Sequence, residues 1–321
     1  MKDGGVFMQF CQNILNEAVE LMINGQLPYA DSIIIGDNAS GKSELLKMYI
    51  RNSKRAVYYI DAVNRSFHIG NITSFKDRIE YKNTILEKRL QDENFNLKDT
   101  WSYYGTDSEC IEFLYEYYEE KLQRLFQKFL KTGFVVYAKE LQEVKYTSGD
   151  IGKLSNGYQA VVRILLELLY FDEVKPVQGS ERAVVVIDEI DQYLSPKNAG
   201  RFYLFLKENF SETDFVVATH SAEVVAAASK CNILILKDLG LEILDAGDFM
   251  DIDDIMPVFK DVFGEQKNLD EYSKYDEILR RLFNNRILGV WTENEKNLYE
   301  SIDKTELTKA QKVLYHQIGE W

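Results

Sequence analysis

The segment Gly36-Asp37-Asn38-Ala39-Ser40-Gly41-Lys42-Ser43 constrains this chain more than any other. It fits the pattern glycine, four residues, glycine-lysine-serine, which closes a loop around phosphate when a strand precedes it and a helix follows. Both flanks are right: Ser32 to Ile35 is a short apolar run, and Ser43 to about Asn52 reads as a helix. Glycines let backbone N–H groups converge on phosphate oxygens, and the helix N-terminus adds partial positive charge. Lys42 is placed to neutralise the β- and γ-phosphates and Ser43 to offer its hydroxyl to Mg²⁺. Gly36 through Ser43, with Glu44 behind them, are the expected nucleotide contacts.

A second segment, Val184-Val185-Val186-Ile187-Asp188-Glu189, ends a run of aliphatics on two carboxylates. Such a run is typical of a strand buried on both faces of a parallel sheet. Ligands of α/β sheets bind beyond the carboxyl ends of the strands. Asp188 is therefore expected to hold Mg²⁺ through water, and Glu189 to orient or deprotonate an attacking water.

The remaining pattern alternates in the same way. Met8 to Ile23 reads as an amphipathic helix with Phe10, Ile14, Ala18 and Leu21 on one side. Ala56–Ile60, Ala183–Ile187 and Phe215–Ala218 read as strands; Asn156–Tyr170, Arg201–Phe210 and Ser221–Ser229 read as helices. Phe134 to Tyr146 looks extended, and Ile233–Lys237 with Leu241–Leu244 flank Asp238-Leu239-Gly240 as a hairpin. Between about 74 and 132 the chain is charged and aromatic, with Ile111, Leu114, Tyr118, Leu122, Leu125 and Phe129 at helical spacing, a packing stripe. From Ile252 onward it is helical and acidic. The expected fold is α/β, a mostly parallel sheet with helices on both faces. A domain over 1–250 would carry the helical insertion, and 251–321 would form a C-terminal helical region.

Two further motifs lie between and after these. Leu154-Ser155-Asn156-Gly157-Tyr158-Gln159 precedes a helix, and Thr219-His220-Ser221 ends the strand Phe215–Ala218. A serine before a helix is also an ordinary N-cap, and a lone histidine is ordinarily a core or surface group. The first nevertheless resembles the signature motif of ABC-type ATPases, and the second their switch histidine. The order of motifs from 36 to 221 resembles that family, and Asn38 its RecF-, SMC- and OLD-like branch rather than the transporter ATPases.

The resemblance implies that Ser155, Asn156, Gly157 and Gln159 contact ATP held by an opposing subunit, and that His220 contacts the γ-phosphate. Lys42, Glu189 and His220 are then the catalytic set. Departures are visible. The stretch Asp188 to Pro196 has Ile190, Asp191 and Ser195 where those proteins usually have proline, glutamate and histidine. A helix stands where an adenine-cradling strand pair is usual. No glutamine stands just after Ile60, where that family carries its Q-loop; Asp61, Asn64 and Arg65 occupy that neighbourhood. The insertion has room for a small helical subdomain but not for a long coiled coil.

The chain carries 52 acidic against 38 basic residues, a formal charge of −14. Such a surface disfavours direct nucleic-acid binding. No stretch approaches the apolar length of a membrane helix, and no signal peptide is visible. Cys11, Cys110 and Cys231 match neither a disulfide framework nor a zinc spacing. These features fit a cytoplasmic protein. Asp245, Asp248, Asp251, Asp253 and Asp254 read as a solvated turn region rather than a metal site.

The resulting expectation is an ATP-hydrolysing, nucleotide-gated homodimer. It would be a sensor or regulatory subunit for a nuclease or toxin in bacterial anti-phage defence. The competing readings are a RecF-like repair ATPase and a nucleotide-dependent scaffold with little hydrolysis.

Overall fold

Alternate residues of each central strand face opposite ways, and here both sets are apolar, so the sheet is covered on two sides. The computed structural model describes residues 3–74, 79–80, 83–101, 110–176, 181–237 and 240–263. Beyond these it describes Tyr275, Ile278, Leu279, Leu282 and Arg286, and 291–319 apart from Asp303, Thr305, Glu306 and Thr308. Phe10 and Cys11, as side chains, and Asp238 and Leu239 of the expected hairpin lie outside the described residues.

The chain opens with α1 (Asp3–Ile23), β1 (Ser32–Gly36), α2 (Lys42–Asn52), β2 (Val57–Ile60) and the short α3 (Thr84–Arg89). A 3₁₀ turn, Ile111–Leu114, leads into α4 (Tyr115–Leu130), then β3 (Phe134–Ala138), β4 (Glu143–Tyr146) and β5 (Ile151–Gly152). Next come α5 (Asn156–Val174), β6 (Ala183–Ile187), α6 (Pro196–Asn209), β7 (Thr213–Ala218) and α7 (Ala222–Ala227). The antiparallel pair β8 (Asn232–Lys237) and β9 (Gly240–Asp245) precedes α8 (Ile252–Val262).

Among the described residues the main sheet runs β2-β6-β7-β1-β8-β9. It is parallel except for β9. Ile34, Tyr59, Val184, Val186 and Val216 pack under α1 and α2 with Ile14, Ala18, Leu45 and Leu46. Ile33, Ile35, Tyr58, Val185, Val217 and Ile235 face the other way, toward α4, α5, α6 and α7.

The insertion is not a separate body. Ile111, Leu114, Tyr118, Leu122 and Phe129 are buried in the same core as α5 and the sheet, and Phe126 joins them while Leu125 is only half-buried. Its extended part is a second, three-stranded antiparallel sheet, β3-β4-β5, with Phe134 opposite Tyr146 and Lys145 opposite Ile151.

The chain divides into two compact units, Met1–Phe263 and Gly264–Trp321. The division falls after α8 rather than at 250, because Ile255 and Phe259 of α8 are buried in the first unit's core. The second unit has its own core of Leu279, Leu282, Ile302, Leu307, Tyr315 and Ile318. It contains helices Glu293–Glu300 and Lys309–Gly319, and Tyr299 stacks on Tyr315 at 4.2 Å between ring centroids.

The aspartates after β9 are engaged locally. Asp245 accepts from the Tyr29 hydroxyl (2.7 Å) and the Gly247 N–H (2.7 Å). Asp251 caps α8 by accepting from Asp253 N (2.9 Å) and Asp254 N (3.2 Å).

Candidate nucleotide site

Parallel pairing sets the site. Ile34 lies beside Ala218, Ile187 beside Val217, and Ile60 beside Ile187. The residues that follow, Gly36, Asp61, Asp188 and Thr219, therefore emerge along one edge of the sheet.

The loop after β1 is built for a close turn. A Cβ on Gly36 would collide with Ser40 Oγ and lie 2.9 Å from the Leu236 carbonyl oxygen. Ala39 (φ 64°) and Gly41 (φ 96°) adopt left-handed backbone. Gly41 caps α2 with no side-chain bond, so the first N–H groups of that helix are left facing the loop. Asp37 and Asn38 are exposed, Ser40 and Ser43 are half-buried, and Glu44 is exposed.

Lys42 is buried and curls into this loop, donating from Nζ to Gly36 O (2.8 Å) and Asp37 O (3.0 Å). Burial lowers its pKa, opposed by the charges of Asp188, Glu189, Asp37 and Asp191. The sheet edge thus brings the loop lysine together with the acids after β6.

Asp188 is 1% exposed. Its N–H donates to Ile60 O (3.0 Å), and its Oδ2 accepts from Asn96 Nδ2 (2.6 Å). The other oxygen, Oδ1, is buried and has no hydrogen-bond partner among the described residues. An unpartnered buried carboxylate oxygen is costly unless a cation or water meets it. Together with the Ser43 hydroxyl, this donor set of hard oxygens fits Mg²⁺.

Glu189 is half-buried and adopts φ 50°, a left-handed backbone uncommon for a non-glycine residue. Arg65 braces the turn from within, donating to Asp188 O (2.6 Å), Glu189 O (3.4 Å) and Asp61 O (2.6 Å). Ile190, where relatives by resemblance carry proline, donates its N–H to Ala218 O at 3.1 Å. A proline has no N–H to give.

Asp191 links this turn to the next strand. Its Oδ1 accepts from the Thr219 hydroxyl (2.6 Å) and from His220 N (3.4 Å). His220 is half-buried, with its ring 5.7 Å from that of Phe263. Burial first, and then the Lys42 charge, hold its pKa below the usual value, while Asp191, Glu189 and Asp37 pull the other way.

The N-terminus of α5 presents the signature residues. Ser155 and Asn156 are exposed, and Ser155 Oγ accepts from Tyr158 N (3.3 Å) as an N-cap. Gly157 has no room for a side chain, since a Cβ would lie 2.8 Å from Tyr193 O. Gln159 is engaged within the chain: Nε2 donates to Leu154 O (2.9 Å), and Oε1 accepts from Phe67 N (3.2 Å). Its expected role as a nucleotide contact meets an amide already committed at both ends.

Behind the site lies a buried charge network that the motifs do not reveal. Glu167 of α5 is fully buried, receiving Arg89 (2.8 and 3.1 Å), Arg163 Nε (2.9 Å) and the Tyr58 hydroxyl (2.8 Å). Burial works against its charge, but the two guanidiniums prevail and hold its carboxyl below the usual carboxylate range. Arg163 also reaches Asp99 and Asn64, and Arg89 pairs with Asp61 at 3.2 Å. Asp61, Asn64 and Arg65 were visible in the sequence without a role; Arg89, Asn96 and Asp99 carried no spacing that could have found them.

Residues 47–226, more than half of the chain, match the family described as "AAA domain, putative AbiEii toxin, Type IV TA system". The chain belongs to this family. It is an ABC-type P-loop ATPase of the group that includes RecF-, SMC- and OLD-like proteins, and the α/β fold is the one expected.

A curated relative, "Retron Ec83 probable ATPase" from Escherichia coli, is 32% identical over 92 residues. That match covers 27% of this chain and spans only 17% of the relative's length. Among solved structures, the SMC head domain from Thermotoga maritima is 26% identical with a TM-score of 0.31, covering 42% of this chain and 50% of that one. An Smc head domain with coiled coil and joint from Pyrococcus yayanosii is 16% identical with a TM-score of 0.30, covering 46% and 30%. Among the described residues, no helix is long and apolar enough to cross a membrane.

Proposed function

We propose that this ATPase binds ATP with Mg²⁺ at the β1–α2 loop and hydrolyses it. The observation that carries the reading is the convergence of Lys42, Asp188, Glu189 and His220 at one sheet edge, with Asp188 Oδ1 buried and unpartnered among the described residues. Lys42 supplies positive charge to the β- and γ-phosphates, and the amides of α2 add theirs. Ser43 and Asp188 hold the metal, which neutralises phosphate charge when bound. Glu189 orients and deprotonates the attacking water. His220, kept neutral by burial and by Lys42, presents an imidazole to the γ-phosphate.

In the same reading two chains form a homodimer. Ser155 and the N-terminus of α5 in each complete the site of the other, which the exposure of Ser155 and Asn156 supports. Gly36–Glu44 surround the bound phosphates, and Asn156 and Gly157 shape the opposing face, while Gln159 acts by bracing α5. We place the protein in the cytoplasm as the regulatory subunit of a toxin or nuclease effector in anti-phage defence. Membership of a family described by a type IV toxin–antitoxin system and similarity to a retron ATPase support that assignment.

The test is Glu189→Gln, which keeps shape and removes the base. It should bind ATP, turn over at least about tenfold more slowly, which is about 1.4 kcal/mol of barrier, and accumulate as a dimer in light scattering. Unchanged turnover would reject Glu189 as the base.

A further inference from the structure

We infer that Asn96 is a positioning residue for the carboxylate of Asp188, supplied to the metal site by the insertion. The inference rests on the reading of Asp188 as a metal ligand given above.

Asn96 belongs to none of the motifs and lies far in sequence from Lys42 and Asp188. It nevertheless bonds with its whole side chain around the end of β2. Its Oδ1 accepts from the Tyr59 hydroxyl (3.1 Å) and from Ala62 N (3.1 Å). Its Nδ2 donates to Asp188 Oδ2 at 2.6 Å. Because the oxygen is fixed by two donors, the orientation of the amide is fixed too, and the NH₂ group faces Asp188.

The backbone at Asn96 is left-handed, φ 52°. Asparagine is among the few L-residues that adopt this conformation readily. The preceding residue locks the loop in place: Phe95 stacks on Tyr59 at 5.6 Å, and Lys47 Nζ lies 4.7 Å above the Phe95 ring. Lys47 in turn pairs with Asp92 at 2.5 Å. The amide is therefore carried on a rigid support, as a group that orients a metal ligand must be.

The two oxygens of Asp188 are consequently unequal. One is tethered to Asn96, and the other is buried with no donor among the described residues. A neutral amide is suited to this task. A lysine or arginine at 96 would fix the carboxylate equally well but would neutralise the charge that attracts a cation. Asn96 orients Asp188 and leaves its charge intact.

Two variants test the inference with a fluorescent ATP analogue, mant-ATP, titrated with Mg²⁺ and separately in EDTA. Asn96→Gly keeps the left-handed backbone and removes the amide. The Mg²⁺ concentration that half-saturates the metal-dependent signal should rise about tenfold or more, with nucleotide binding in EDTA unchanged.

Asn96→Asp keeps the oxygen that accepts from Tyr59 and Ala62 but sets a second carboxylate against Asp188. Its metal-free melting temperature should fall below wild type, and Mg²⁺ with nucleotide should raise it by more than in wild type. A side chain that merely braces the loop predicts the same lowered melting temperature for Asn96→Asp but a wild-type Mg²⁺ response. That result, or an unshifted Mg²⁺ titration in Asn96→Gly, overturns the inference while leaving the nucleotide site standing. If Asn96→Gly does not fold, Asn96→Asp decides alone. Wild-type protein that binds no mant-ATP, or binds it without any response to Mg²⁺, overturns the nucleotide reading and this inference with it.

Discussion

The Tyr193 carbonyl sits directly over the Cα of Gly157, where any Cβ would meet its oxygen at 2.8 Å. The N-terminus of α5 and the turn that follows Asp188 and Glu189 are thus in contact through backbone, with nothing soft between them. Tyr193 holds its side of the contact with φ 63° and an exposed ring. Gly157→Ala must push the two apart, at a cost of about 1–3 kcal/mol. The expected outcome is a lower melting temperature and loss of ATP-dependent dimerisation, with mant-ATP affinity retained because the Lys42 loop is untouched. Wild-type dimerisation in this variant would show that the contact is incidental.

Ile190 makes a bond that the proline of the resembling pattern could not, from its N–H to Ala218 O. Ile190→Pro removes that bond and leaves a buried acceptor unsatisfied, which costs about 1–3 kcal/mol. It also restricts Glu189, which now has φ 50°. Both effects act on the residue expected to be the base, so kcat should fall further than stability does. Chemical denaturation and steady-state ATPase measurements on the same preparation would check this, and unaltered kcat would count against it.

The proposed sharing of each site between two chains predicts complementation. Lys42→Ala should not bind nucleotide, and Ser155→Arg should bind it but neither dimerise nor hydrolyse. A mixed dimer holds one composite site with an intact Lys42 loop and an intact Ser155 helix, so mixing the two inactive proteins should restore some ATPase activity. Full activity of Ser155→Arg alone would exclude a shared site. A dead mixture of chains that demonstrably pair would leave only a model in which both sites fire together.

His220 titrates under the influence of burial first and Lys42 second, both lowering its pKa below the ordinary value of 6.5. The unfolded chain therefore takes up its proton before the folded one does. The stability it contributes is complete above about pH 6.5 and is lost as pH falls through the folded pKa. Lys42→Ala removes one lowering influence while Asp191 and Glu189 remain, so the His220 midpoint should rise. Proton NMR of the imidazole Cε1–H signals reads this, the His220 signal being assigned by its absence from His220→Gln. An unmoved midpoint would mean that Lys42 does not act on His220 in solution.

What was legible in the sequence was local. The strand Ala183–Ile187 was visible because every residue is aliphatic, and the loop Gly36–Ser43 because its residue types recur at fixed offsets. The stripe along α4 was readable from spacing alone, though Phe126, outside the stripe as read, is fully buried while Leu125 packs half-buried against the same core.

Illegible parts depend on residues distant in sequence. Nothing near Asn96 announces that it meets Asp188, and nothing near Arg89 announces Glu167, because each pairing is made by the fold. The insertion, with room for a small helical subdomain, hid its place in the main core for the same reason. Its apolar stripe could equally have closed on itself, and only tertiary packing joins it to α5 and the sheet. The boundary after Phe263 was hidden because α8 shares the acidic, helical character of the region beyond it.

The position of β1 in the sheet sets the order in which this protein can be assembled. Its lateral neighbours are β7 and β8, made some 180 residues later or more, and β2 likewise waits for β6. A nascent chain that has emerged only as far as the second sheet carries Ile33, Ile34 and Ile35 with both edges open. Such unpaired apolar edges invite pairing with other chains. High contact order of this kind also slows folding. The loop proposed to hold phosphate is consequently among the last features to become rigid, and chains truncated before Leu236 should be recovered mainly as aggregates rather than as small, working nucleotide-binding fragments.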